Sequence, residues 1–116
     1  MLTAITVFRS SGEVAEMTID MTERPTFAEL RRIVTPLLHG AQMLHVRVLD
    51  PVNGDDSLDL FVDEIGVLKR LTFNKKATEL YRAAWLRDNP GDDPGGLPYI
   101  AGDAVLFRRK VWDGRA

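Results

Sequence analysis

Apolar residues change their spacing several times along this chain, and each change marks an element. Leu2–Phe8 and Val14–Asp20 are β-rich runs, and Ser10-Ser11-Gly12-Glu13 between them predicts a hairpin with a slightly long loop. From Phe27 the spacing turns helical: Phe27, Leu30, Ile33, Val34, Leu37 and Leu38 share one face. Thr26, just after Pro25, is the expected cap, and Glu29 completes a capping box. Pro36 lacks an amide proton, which predicts a kink, or a stop with Thr35 capping a restart. Gly40 is the expected terminator.

Strand alternation returns at Leu44–Asp50 and Leu58–Asp63, with 51–57 as their loop. Val46 and Val48 alternate with His45 and Arg47, while Leu58, Leu60 and Val62 alternate with Asp59, Phe61 and Asp63. One face of the pair is therefore read as core and the other as polar. A second helix is expected from Asn74 to Arg87, with Ala77, Leu80, Tyr81, Ala84 and Trp85 as its apolar stripe. Asp88–Pro98 is a Gly/Pro/Asp loop that should not sustain regular structure, and Ala104–Trp112 is the last expected strand. The sum is a single α+β domain over 1–116, an antiparallel or mixed sheet of about five strands with two main helices on one face.

The run LFVDEIGVLKRLTFNKKATELYR, followed later by IAGDAVLF, resembles the bacterial and phage family known as domain of unknown function 3846. The matching features are Val62-Asp63-Glu64, Leu68-Lys69-Arg70-Leu71, Asn74 and Gly102-Asp103-Ala104-Val105. Thr72-Phe73 stands where that family's pattern would place Pro after Leu71. The resemblance covers the second half well and the first helix loosely. It implies a small α+β domain in a mobile-element setting and supplies no catalytic residues.

Composition narrows the chemistry. At 116 residues the chain holds one core, and its formal net charge of −2 does not draw it onto nucleic acid or anionic lipid. The absence of cysteine removes disulfides, thiol nucleophiles and thiolate metal sites. Met1–Phe8 lacks the basic flank and cleavage site of a signal peptide, and no run is long enough to span a membrane, so a cytoplasmic protein is expected. No dinucleotide fingerprint, P-loop or nucleophile elbow is present, so no cofactor is expected. Aligning Gly54 with the glycine of a calcium loop puts Leu49 and Pro51 at ligand positions, which favours an Asx-rich turn. His39 and His45 lack the partners of a zinc motif and read as a helix-end and an exposed strand histidine.

Three surfaces remain. Asp59 and Asp63, across from His45 and Arg47, outline an acid–base face, although cross-strand charge pairing explains the same pattern. Charge is segregated: Asp50–Glu64 holds six acids and no base, whereas Lys69–Arg82 holds five bases against Glu79. Lys75 and Lys76 sit in the first helical turn, where the dipole disfavours cations and exposed amides suit an anion. Trp85, Phe107, Val105 and Val111 read as core, leaving Trp112 as the exposed aromatic. The leading expectation is a non-enzymatic accessory domain that binds a protein partner, steered by Asp59 and Asp63 on one side and Arg108 and Lys110 on the other. The alternative is a nucleic-acid or phosphate site using Lys75, Lys76, Arg82, Arg108 and Lys110; a small enzyme on the Asp59, Asp63 and His45 face comes third.

Overall fold

Strand alternation decides which side chains reach which face, and in this protein it builds a sheet that is apolar on both. The structure, a computed structural model, describes residues 1–54 and 57–112. The charges that the sequence carries at Asp55 and Asp56 in the 51–57 loop, and at Asp113 and Arg115 after Trp112, lie outside the described residues. Strands β1 (Leu2–Phe8), β2 (Val14–Asp20), β3 (Met43–Leu49), β4 (Ser57–Asp63) and β5 (Ala104–Phe107) are joined by helices α1 (Phe27–Leu37) and α2 (Lys75–Asp88). The sheet runs β2-β1-β5-β4-β3, and each neighbouring pair is antiparallel. The fold is α+β, with β2 and β3 as its edges and the last strand inserted at its centre.

The helices lie on opposite faces, not on one as the alternation suggested. On the first face Ile5, Val7, Phe61, Val105 and Phe107 meet Leu30 and Val34 of α1. On the second, Leu58, Leu60, Val62, Ala104 and Leu106 meet Ala77, Leu80 and Tyr81 of α2. Phe61 carries the physical reason. Its ring stands among Asp59 and Asp63 on the strand face read as polar, yet it is fully buried and packs edge-on against Phe107 at 5.6 Å.

Two long-range ties correct the element ends. β5 stops at Phe107, short of Trp112, because Val111 and Trp112 donate their amides to Asp59 Oδ2 at 2.7 and 3.0 Å. The chain thereby leaves the ladder and crosses the α1 face, where Val111 and Trp112 join the core. α1 runs through Pro36 for one residue and closes at His39 and Gly40, whose φ angles are 59° and 83°. Thr26 caps α1 by accepting the Glu29 amide, but the Glu29 carboxylate accepts from Thr22 N–H and Oγ1 rather than closing the box. In the 88–98 loop, Pro94–Gly96 makes a single 3-10 turn.

Asn74 fixes the start of α2. Its Oδ1 accepts the Ala77 amide while its Nδ2 donates to the Phe8 and Gly102 carbonyls, all from a buried position. A Cβ at Gly66 would overlap the Ala101 carbonyl, so the 64–73 loop sits flush against the 98–102 segment only with glycine there.

Candidate functional site

The expected acidic face proves to be structural. Asp59 is completely buried; His45 Nε2 donates to its Oδ1 at 2.6 Å, and Oδ2 holds the two amides of the crossing segment. Burial pushes this carboxyl up, but the His45 hydrogen bond and the Val111 and Trp112 amides outweigh it and hold it below its ordinary value. With both oxygens engaged, Asp59 serves the fold rather than a reacting group. His45 is accordingly part-buried, with its ring 5.3 Å from that of Phe61, and not the exposed strand histidine expected. Asp63 is also buried, accepting from Ile65 N–H and from Lys69 Nζ at 2.9 Å.

The basic residues do not form one patch. Arg82 donates to the Leu97 and Pro98 carbonyls and ties the 97–98 segment to α2. Arg108 pairs with Asp50 at 3.5 Å. Lys75 and Lys76 are exposed at the end of the sheet where Phe8 pairs with Ala104, while Lys110 is exposed beyond the opposite end of β5. Trp112, the expected exposed aromatic, is 8% exposed and packs against Phe27 at 5.5 Å. Arg109, which the sequence did not single out, spans Thr3 Oγ1 and the Thr22 and Glu23 carbonyls.

A polar corner gathers Arg9, Ser10, His39 and Asp103. Asp103 accepts from Arg9 NH1 at 2.9 Å, from the Ser10 amide at 2.9 Å and from His39 Nε2 at 3.0 Å. Burial raises its carboxyl, and the Ser10 amide, the Arg9 guanidinium and His39 together bring it below the ordinary value. This cluster closes the hairpin loop onto the end of α1. Beside it, a cavity of about 420 Å³ lies between the hairpin loop and the first turn of α2, where Lys75 and Lys76 face Glu13 and Glu79. Among the described residues no group of three or more His, Asp and Glu side chains is placed to hold a metal ion.

The least satisfied surface is apolar. Burial fades along α2: Ala77 is fully buried, Leu80 and Tyr81 partly so, and Trp85, expected in the core, is 41% exposed. A groove consequently opens between α2 and the edge strand β3. One part, of about 330 Å³, is lined by Val46, Val48, Tyr81, Ala84 and Trp85. The other, of about 300 Å³, shares Val46 and Tyr81 and adds Leu44, Val67 and Tyr99. Phe73 packs edge-on against Tyr99 at 5.7 Å, and Leu68 is 80% exposed on the adjoining loop.

That loop is no loose end. Lys69 N–H bonds to Ile65, Arg70 N–H to Val67 and Leu71 N–H to Gly66, so the backbone is fixed while its apolar side chains face solvent. Sequence reasoning missed the surface. Ile65, Val67, Leu68, Leu71 and Phe73 fit neither a strand nor a helix period, and apolar residues without a period were the available signal. No helix among the described residues is long and apolar enough to cross a membrane. No family model, curated protein or solved structure matches the chain.

Proposed function

We propose that this domain acts by binding a protein partner, which docks on the β3–α2 groove and the adjoining 64–73 loop. One observation carries the reading: the edge strand β3, the hydrogen-bonded 64–73 loop, the α2 stripe and the 97–101 segment together leave Leu44, Val67, Leu68, Phe73, Trp85 and Tyr99 between 41% and 80% exposed. Each such side chain gains up to about 1.5–3 kcal/mol when fully covered, so a clustered set is a docking surface in waiting. Steering by opposed charged patches is a weaker support, because Asp59 and Asp63 are buried and Arg108 is paired. The resemblance of the second half to domain of unknown function 3846 adds a phage or plasmid setting to the proposal, and the absence of cysteine supports a cytoplasmic location.

The test is site-specific photo-crosslinking in host cells, with the reactive residue at Leu68 or Tyr99 and, as control, at Glu23 or Lys110. The proposal expects one protein adduct from the groove positions, lost when Trp85→Asp is added. Adducts from all four positions, or from none, reject it.

A second reading rests on the cavity at the start of α2. Lys75 and Lys76 flank the helix amides there, which supports a phosphate or carboxylate ligand, or a stretch of nucleic-acid backbone. It requires affinity for an oligonucleotide or nucleotide that falls steeply with salt and disappears in Lys75→Glu/Lys76→Glu.

A further inference from the structure

An edge strand offers half of its backbone groups to whatever lies beside it, and the register here says which half. Glu64 N–H donates to the Gln42 carbonyl, and β3 continues antiparallel to β4 from Met43↔Asp63. Gln42 and Glu64 are therefore a hydrogen-bonded pair, and the ladder repeats at Leu44, Val46 and Val48. The N–H and C=O groups of Met43, His45, Arg47 and Leu49 then point away from β4, along the open edge.

The two sides of that edge differ in chemistry. Leu44, Val46 and Val48 face α2, whose Tyr81, Ala84 and Trp85 form the far wall of the groove. His45 and Arg47 face the α1 side, where Asp59, the register partner of Arg47, is already engaged by His45, whose own register partner is Phe61. An added strand would send alternate side chains to these two sides at the strand period. We infer that the partner supplies an extended segment that pairs with β3, its apolar side chains entering the β3–α2 groove and its acidic side chains lying beside His45 and Arg47. This rests on the protein-partner reading and specifies its mode, in which main-chain bonds give affinity and the groove selects alternate side chains.

The rival occupant is a second copy. Pairing β3 with β3 of another molecule brings the Arg47 side chains of both copies onto one face of the joined edges, a like-charge arrangement that sheets avoid. The β2 edge of another copy carries Glu16 and Asp20 and so competes on charge; it would make a head-to-tail contact that builds rings or filaments and shows as concentration-dependent self-association.

The experiment selects 12-residue peptides from a random displayed library on the full chain, then follows amide exchange by NMR with the strongest synthetic binder. The expected outcome is peptides that alternate apolar and acidic residues, slowing exchange at Met43, His45, Arg47 and Leu49. Proline is tolerated on an edge where the amide faces outward, so Arg47→Pro should fold. It should lose more than tenfold in affinity relative to Arg47→Ala, which also removes the side chain but keeps the amide donor. Peptides with helical spacing that shift the groove without slowing those amides overturn strand addition and leave the partner-binding reading standing. Absence of any selected peptide overturns both. Concentration-dependent self-association abolished by Arg47→Pro assigns the edge to a second copy and overturns the inference.

Discussion

Replacing Asp59 probes the tie that sets the end of β5 and the shape of the α1 face. The carboxylate takes three hydrogen bonds, from His45 and from the amides of Val111 and Trp112, with no solvent exposure of the residue. In Asp59→Ala the Val111 and Trp112 amides stay buried without a partner at about 1–3 kcal/mol each, and the part-buried His45 loses its acceptor, so the sum should reach about 3–5 kcal/mol after relaxation. Asp59→Asn keeps the shape and an acceptor for the amides while losing the charge. Charge-assisted bonds exceed neutral ones by about 1 kcal/mol each, which places Asn at about 1–3 kcal/mol. The assay is urea unfolding followed by tryptophan fluorescence in a Trp85→Phe background, so that Trp112 reports alone. Acrylamide should quench Trp112 strongly in the alanine variant and weakly in the parent, where the residue is 8% exposed.

The pH dependence has a definite sign. The folded Asp59 carboxyl lies below its ordinary value of 3.8, so its stabilisation is fully present above that pH and is lost as pH falls through the depressed folded value. Asp59→Asn should remove that acid-side loss and flatten the curve below about pH 4. An alanine cost under about 1 kcal/mol, or parent and asparagine curves that run parallel into acid, would refute the account of this residue.

Other substitutions separate structure from docking. Asn74→Ala removes a buried cap and leaves the Phe8 and Gly102 carbonyls without their donor, a loss of about 2–4 kcal/mol in chemical denaturation. Gly66→Ala meets the Ala101 carbonyl and should cost about 2 kcal/mol or more, with raised hydrogen exchange across 64–73 as the local sign. Lys75→Glu and Lys76→Glu each exchange a cation that the helix dipole disfavours for an anion that it favours, but set that anion near Glu13 and Glu79, so the two effects oppose and stability should change by less than about 0.5 kcal/mol. A larger drop in stability there would show that the lysines hold the fold.

Much of this architecture can be read from the chain because local chemistry writes it. Thr26 and Asn74 cap their helices as side chains at those positions do, and the strand pairs of the two hairpins follow from alternation. The α+β class follows from those elements. What local chemistry does not write is which side of a sheet a helix will choose. Two amphipathic helices fit one face or two equally well, and only Phe61 among the acids hinted that the polar-looking face was covered. The same limit hid the role of Asp59, whose amide partners lie some fifty residues away. It also placed Trp112 outside and Trp85 inside, the reverse of what packing does with them. The docking groove is legible only as the difference between an apolar stripe on α2 and the smaller part of it that the sheet covers.

The most direct test of partner binding through that groove is hydrogen–deuterium exchange of the full chain, alone and saturated with the protein recovered by photo-crosslinking. The account expects protection concentrated in 43–49, 64–73 and 97–101, with α2 protected around Tyr81 and Trp85. Protection centred instead on 9–14 and the first turn of α2, or on α1 and β2, would contradict it.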